Sequence, residues 1–186
     1  MRSYPYTIDN GAGERLTFQR LVPTARGGRV EGENVVSPGA GPPMHVHYLQ
    51  DEGFTVVHGR LGVQRPGAAP EFAGAGETVV FLAGEPHRFW NAGDGELRCA
   101  GFMEPAGNAE FFLEALFDFQ RANGGARPSL FDVAFLTRRY RAEFGMLEIP
   151  AVVQRLLFPL IVAVGRKLGR YDKYANAPEP MRAGRG

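Results

Sequence analysis

The chain has 186 residues, with 21 Lys and Arg against 20 Asp and Glu, four His and a single Cys. That length can bury a core without disulfide staples, and Cys99, lacking a partner, offers no disulfide, no thiol pair and no Cys-based zinc site. Residues 1–150 hold 14 Lys and Arg against 18 Asp and Glu, whereas residues 151–186 hold 7 against 2; a surplus so small and so dispersed argues against a nucleic-acid binder.

The opening segment, MRSYPYTIDNGAGERL, has no apolar stretch of the kind a secretory signal needs, so cytoplasmic residence is the expectation. Short β-prone runs follow, punctuated by Gly, Pro and Asn. They predict strands over Arg15 to Val22, Arg29 to Val36, Glu52 to His58, Arg60 to Gln64, Thr78 to Leu82, His87 to Asn91 and Glu96 to Glu104. In FTVVHGRLGV, Gly59 divides two such runs and predicts a tight hairpin. Cys99 falls in an alternating run and reads as a buried structural thiol.

After Pro105 the period becomes helical. Phe112, Leu116 and Phe119 mark a first helix that ends at Asn123-Gly124-Gly125. A second opens at Ser129, with Asp132 as its capping-box partner, and runs out by Gly145. A third starts at Pro150 and carries an apolar stripe of Val153, Leu156, Leu157, Leu160, Ile161, Val164 and Leu168, with a kink expected at Pro159 and basic residues near its carboxyl end. Its apolar run from Leu156 to Gly165 is about half the ~20 residues a membrane span requires, so no span is expected. The expected organisation is a β domain over 1–105, a helical extension over 106–175 and a disordered tail over 176–186.

The chemistry concentrates in two segments. In an extended chain His45 and His47 are two apart and point to one side, so both rings can grip one ion. Glu52 follows five residues later and adds an anionic oxygen, while Gly84-Glu85-Pro86 turns the chain to deliver His87. Three imidazoles and a carboxylate favour iron, manganese, nickel, zinc, copper or cobalt over magnesium or calcium, and leave coordination positions open. By alternation from Glu52, His58 faces the same interior if no bulge intervenes, which makes it and Glu52 the candidate catalytic acid–base groups; the competing reading puts His58 at the solvent rim. Phe89 and Phe81 are candidate pocket linings, Arg88 and Trp90 should face away, and Tyr48 and Gln50 lie where they could reach a metal-bound ligand.

Gly39, His45, His47, Glu52 and Gly59 match the first motif of the cupins, a glycine, five residues, His-x-His, four residues, Glu, six residues and a glycine. Gly76, Gly84, His87 and Asn91 match the second, with Leu82 where that motif has proline. The sequence therefore resembles a single-domain type-2 cupin of the RmlC-like jelly-roll superfamily over roughly residues 30 to 105, its motif core at 39–91. The resemblance implies a mainly β jelly-roll barrel, here followed by about three α-helices. It also implies one divalent metal on His45, His47, Glu52 and His87, and often a dimer.

Function is read more coarsely. The leading expectation is a metal-dependent, dioxygenase-like oxidoreductase acting on a small organic molecule. The alternatives are a metal-dependent isomerase, epimerase or lyase, and a non-catalytic small-molecule binding or sensing protein. The wide stripe on the third helix suggests a homodimer contact, with packing inside the monomer or peripheral contact with a membrane as the other readings.

Overall fold

A computed structural model of the chain describes residues 3–122, 124 and 129–181. Its strands are β1 (Tyr6–Asp9), β2 (Glu14–Val22), β3 (Arg29–Val36), β4 (His45–His47), β5 (Asp51–His58), β6 (Leu61–Gln64), β7 (Glu71–Ala73), β8 (Thr78–Phe81), β9 (Arg88–Asn91), β10 (Leu97–Glu104) and β11 (Phe144–Met146). The helices are α1 (Ala109–Ala122), α2 (Leu130–Arg139) and α3 (Ala151–Lys167), followed by a 3-10 turn, Asp172–Tyr174.

All pairings are antiparallel. A six-stranded sheet runs β1-β2-β3-β10-β5-β8, and a three-stranded sheet runs β7-β6-β9. Alternation dictates their packing, because every second residue of a half-buried strand must leave water. Leu61, Val63, Ala73 and Phe89 of the small sheet meet Val36, Phe54, Val56, Phe81, Leu97 and Cys99 of the large one in a common core. This is the face-to-face arrangement of a cupin-type jelly roll. Cys99 lies inside it, and burial pushes its thiol up to about 12, where it is inert. The β5–β6 hairpin turns at Gly59, whose φ is +89° and whose missing side chain would otherwise meet the Glu96 carbonyl.

A second core joins the helices to the other end of the large sheet. Ile8, Phe18, Val30 and Met103 meet Phe112, Phe117, Leu136, Tyr140 and Phe158 there. Three sequence expectations change in this region. Ser129 makes no side-chain cap; Asp132 is instead buried, accepting from the Tyr174 hydroxyl at 3.0 Å with Lys173 at 2.8 Å, because a buried carboxylate needs a cation and a donor more than a helix end needs a cap. Helix α2 ends at Arg139, and the chain from Phe144 to Met146 is a strand pairing β4 as a separate two-stranded sheet. The expected disordered tail is packed as far as the described residues extend. Arg139 and the Tyr140 hydroxyl donate to the Pro178 carbonyl, and the Met181 amide donates to Glu143. Residues 182–186, and Asn123 and Gly125 of the expected first-helix stop, lie outside the described residues. Helix α3 begins after Pro150 and remains one helix through Pro159.

Candidate metal centre

Strand β4 is only three residues long and is held on both sides. Its His45 exchanges two 2.9 Å backbone hydrogen bonds with His87, and β11 pairs along its other edge. The turn at Gly84 (φ +83°) brings His87 into that bridge. Glu52 comes from β5, opposite Met103 of β10 and Phe81 of β8. Three segments, β4, β5 and the chain at His87, thus deliver four ligand-capable atoms, all within 4.8 Å of one another.

Around Glu52 Oε2, the Nε2 atoms stand at 2.8 Å for His87, 3.6 Å for His47 and 4.0 Å for His45. His45 Nδ1 lies 2.8 Å from the Pro43 carbonyl and His87 Nδ1 2.9 Å from the Glu85 carbonyl. A carbonyl only accepts, so His45 Nδ1 carries the proton and its Nε2 keeps a lone pair for the centre; His87 Nε2 stands 2.8 Å from Glu52 Oε2, a hydrogen bond that an ion would replace. His87 is also stacked on Phe81, ring centroids 3.8 Å apart and planes 2° from parallel. His47 lies edge-on to Phe144 of β11.

Electrostatics favour the ligating forms. Burial pushes His47 down to about 3, against the pull of Glu52, so the ring is neutral. His45 is lowered for the same reason. Burial alone would raise the Glu52 carboxyl, but the rings of His47, His87 and His45 and the His87 hydrogen bond outweigh it and hold it at about 2. Neutral His45 and His47 beside an ionised Glu52 are in the states a divalent metal needs. The fit test rests on His47, only 5% exposed, whose two ring nitrogens have no hydrogen-bond partner among the described residues. A buried polar atom without a partner costs about 1–3 kcal/mol, and an ion at the centre would satisfy Nε2.

The cluster opens on a cavity of about 150 Å³ between the large sheet and α1, lined largely by apolar side chains. Phe89 lines it as expected from parity, with Arg88 exposed and Trp90 half-buried on the other face. Phe54 and Met103 line it from the sheet, and Phe112, Leu116 and Phe117 from α1. Glu14 and Asn34 also face it, and sequence reading missed both because neither belongs to the two motif segments. Burial pushes the Glu14 carboxyl up to about 7, even though Asn34 donates to it at 2.9 Å.

Other expected site residues fall elsewhere. The structure does not bring His58 to the cluster: Cys99 pairs Val56 but Arg98 pairs His58, so Val57 is a bulge that ends the inward alternation, and Val57 and His58 are both exposed. Tyr48 is about half exposed, and fully buried Gln50 donates to Glu143 at 3.4 Å instead of reaching the centre. Asn91 donates to the Val36 and Gly95 carbonyls, which makes it a loop clamp.

The family profile described as "Cupin domain" matches residues 33–102. Residues 33–102 are a cupin-type domain. A probable oxidoreductase, VirH, of Hypocrea virens is 28% identical over 105 residues, covering 52% of this chain and 48% of its own length. The oxidoreductase IacF of Pestalotiopsis fici is 37% identical over 60 residues, covering 32% of this chain and 29% of its own. The chain therefore spans less than half the length of these relatives in either alignment. Among solved structures, the polyketide cyclase RemF from Streptomyces resistomycificus is similar at 24% identity and a TM-score of 0.45, over 55% of this chain and 75% of that one. KdgF from a Halomonas species is similar at 18% identity and a TM-score of 0.45, over 53% and 86%.

Proposed function

We propose that this cupin holds one divalent transition metal on His45, His47, Glu52 and His87 and acts as a metal-dependent oxidoreductase, dioxygenase-like in chemistry, on a small organic molecule. The observation that carries the reading is the buried His47 ring, unpartnered at both nitrogens, within a four-residue ligand set that faces an apolar cavity. When bound, the metal supplies an open Lewis-acidic position where a chelating substrate and dioxygen can meet. The protein's own residues do the rest. His45 and His87 are oriented by carbonyls, the apolar walls exclude water, and Glu52 Oε2 is placed to take a proton from a ligand at the centre. The names of the two curated relatives, both oxidoreductases, support the choice.

Metal analysis of protein purified without chelator should find about one equivalent of iron, manganese, nickel, copper, cobalt or zinc. Oxygen uptake on addition of small phenols, enols and thiols should then depend on that metal. A metal-dependent isomerase, epimerase or lyase is the second reading, favoured by Glu14, whose carboxyl at about 7 suits proton transfer in the same cavity. Turnover that persists without oxygen selects it, and tight ligand binding with no turnover selects a binding protein. A second copy of the chain is the proposed cover for the exposed stripe on α3. Among the described residues no helix is long and apolar enough to cross a membrane, and residence in the cytoplasm is proposed on the sequence expectation alone.

A further inference from the structure

Glu14 on β2 and Asn34 on β3 are polar residues of the cavity wall that the metal centre does not use; Asn10 and Gln120 line it too, Asn10 with its Oδ1 already taken by the Ala12 and Glu14 amides. Glu31 also lines the cavity but is paired with Arg20 and Arg29. Glu14 is 9% exposed and Asn34 4%. Asn34 Nδ2 donates to Glu14 Oε1 at 2.9 Å, while Asn34 Oδ1 is buried with no hydrogen-bond partner among the described residues. No hydrogen bond reaches Glu14 Oε2 among the described residues. The wall is otherwise mostly apolar there, so an unmet amide oxygen beside a carboxyl is a cost that packing alone does not explain.

Position along the strands separates this pair from the metal ligands. Asn34 is level with Cys99, which faces Val56, four residues along β5 from Glu52. At ~3.3 Å per residue that is an offset of ~13 Å along the strand direction alone, and the Glu14 carboxyl remains near enough to Glu52 for that charge to help raise it. Glu14 is held inward by its backbone, whose amide donates to Asn10 Oδ1 at 3.0 Å. The cavity is therefore an apolar passage with a metal-ligand set toward one end and a hydrogen-bonding pair toward the other.

We propose that Glu14 and Asn34 bind a hydroxyl group at the end of the ligand remote from the metal centre, so that the ligand is an elongated, mainly apolar molecule with a metal-seeking group at one end and a neutral hydroxyl at the other. A hydroxyl both donates and accepts: its one proton goes to Asn34 Oδ1, and its oxygen accepts from Glu14 when that carboxyl is protonated. A second carboxylate at that end is rejected, because it would be buried beside Glu14 with no cation in reach. The inference rests on the reading of the cavity as the ligand site.

The test uses the full chain loaded with cobalt(II) and titrated with straight-chain carboxylic acids and their ω-hydroxy counterparts over a graded series of chain lengths. The cobalt absorption reports arrival at the metal, and calorimetry gives the affinity. The expected result is that one hydroxy acid binds about tenfold more tightly than its parent acid, the effect of roughly one hydrogen bond to a charged or strongly polar group. The corresponding α,ω-diacid should bind more weakly than either. The double variant E14M/N34L, which removes both partners and so strands neither, should still take up cobalt and bind the two series alike. Parent acids that bind with no hydroxyl preference at any length, or a preference that survives in E14M/N34L, overturn the inference and leave the ligand site standing. Cobalt uptake with no response to either series takes down the ligand-site reading and the inference together.

Discussion

His47 is where a side chain gains most from an ion. It is buried and neutral, and neither ring nitrogen has a hydrogen-bond partner among the described residues, whereas His45 and His87 each rest one nitrogen on a carbonyl. Removing metal with a chelator should therefore lower the melting temperature by several degrees, and returning one equivalent should restore it; a melting curve indifferent to metal would contradict the assignment. His47→Ala should drop metal content from about one equivalent to near zero. Glu14 gives a different signature. Its folded value of about 7 lies above its ordinary 4.5, so the folded chain keeps a proton that the unfolded chain releases. Its contribution to stability is thus fully present below about pH 4.5 and is lost as pH rises through 7. At ~1.4 kcal/mol per unit the cost at pH 8 is about 3 kcal/mol. Glu14→Gln keeps an acceptor for Asn34 but never ionises. Urea denaturation should find it matching the parent near pH 4.5 and more stable by a similar amount at pH 8. The four metal-centre residues were legible because their spacing is a motif, while Glu14 and Asn34 are ordinary residues in ordinary strands, given meaning only by the cavity they share.

Elements were legible where local pattern and tertiary pairing agree. Strand β3 alternates cleanly and has the expected bounds, and the Gly59 hairpin follows from the conformation glycine alone adopts easily. Strands β4 and β11 were not called, because three residues carry too little pattern and each exists only through the other. The bulge at Val57 is equally silent in sequence, and it alone decides that His58 points outward. The β4–β11 pair also makes the metal centre depend on the helical extension. Gly145 sits opposite Val46 between the two ligand histidines, and a Cβ there would lie 2.6 Å from the Tyr48 hydroxyl and 2.8 Å from Val46 Cγ1. Gly145→Val must push β11 away from β4. A variant that still folds should bind metal at least tenfold more weakly, measured by competition with a chromophoric chelator; unchanged affinity would mean that β4 holds its histidines without β11.

At the scale of the molecule, the helical extension is part of the cupin domain's support. Fully buried Glu143 accepts from the Asn108 side chain at 2.7 Å and the Met181 amide at 2.7 Å, with Gln50 at 3.4 Å, and so ties the loop after β4, the start of α1 and the tail to one carboxylate. That explains why a tail of polar and proline residues, disordered by composition, is packed: its order comes from partners distant in sequence. The outer face of α3 has no such cover. Val152, Leu156, Leu160, Val164 and Leu168 recur every four residues, and each is at least half exposed, as is Leu157. Such an i, i+4 ridge is the surface that interlocks with a like ridge of another helix, so a second copy crossing here would remove both stripes from water at once. Sedimentation should show a dimer at micromolar concentration, and the double variant L156E/L160E should shift it to monomer while metal content stays at one equivalent. A parent chain that is monomeric throughout but binds anionic vesicles through the same two leucines would assign the stripe to a lipid surface instead, with Arg166, Lys167 and Arg170 at the end of the helix meeting the headgroups.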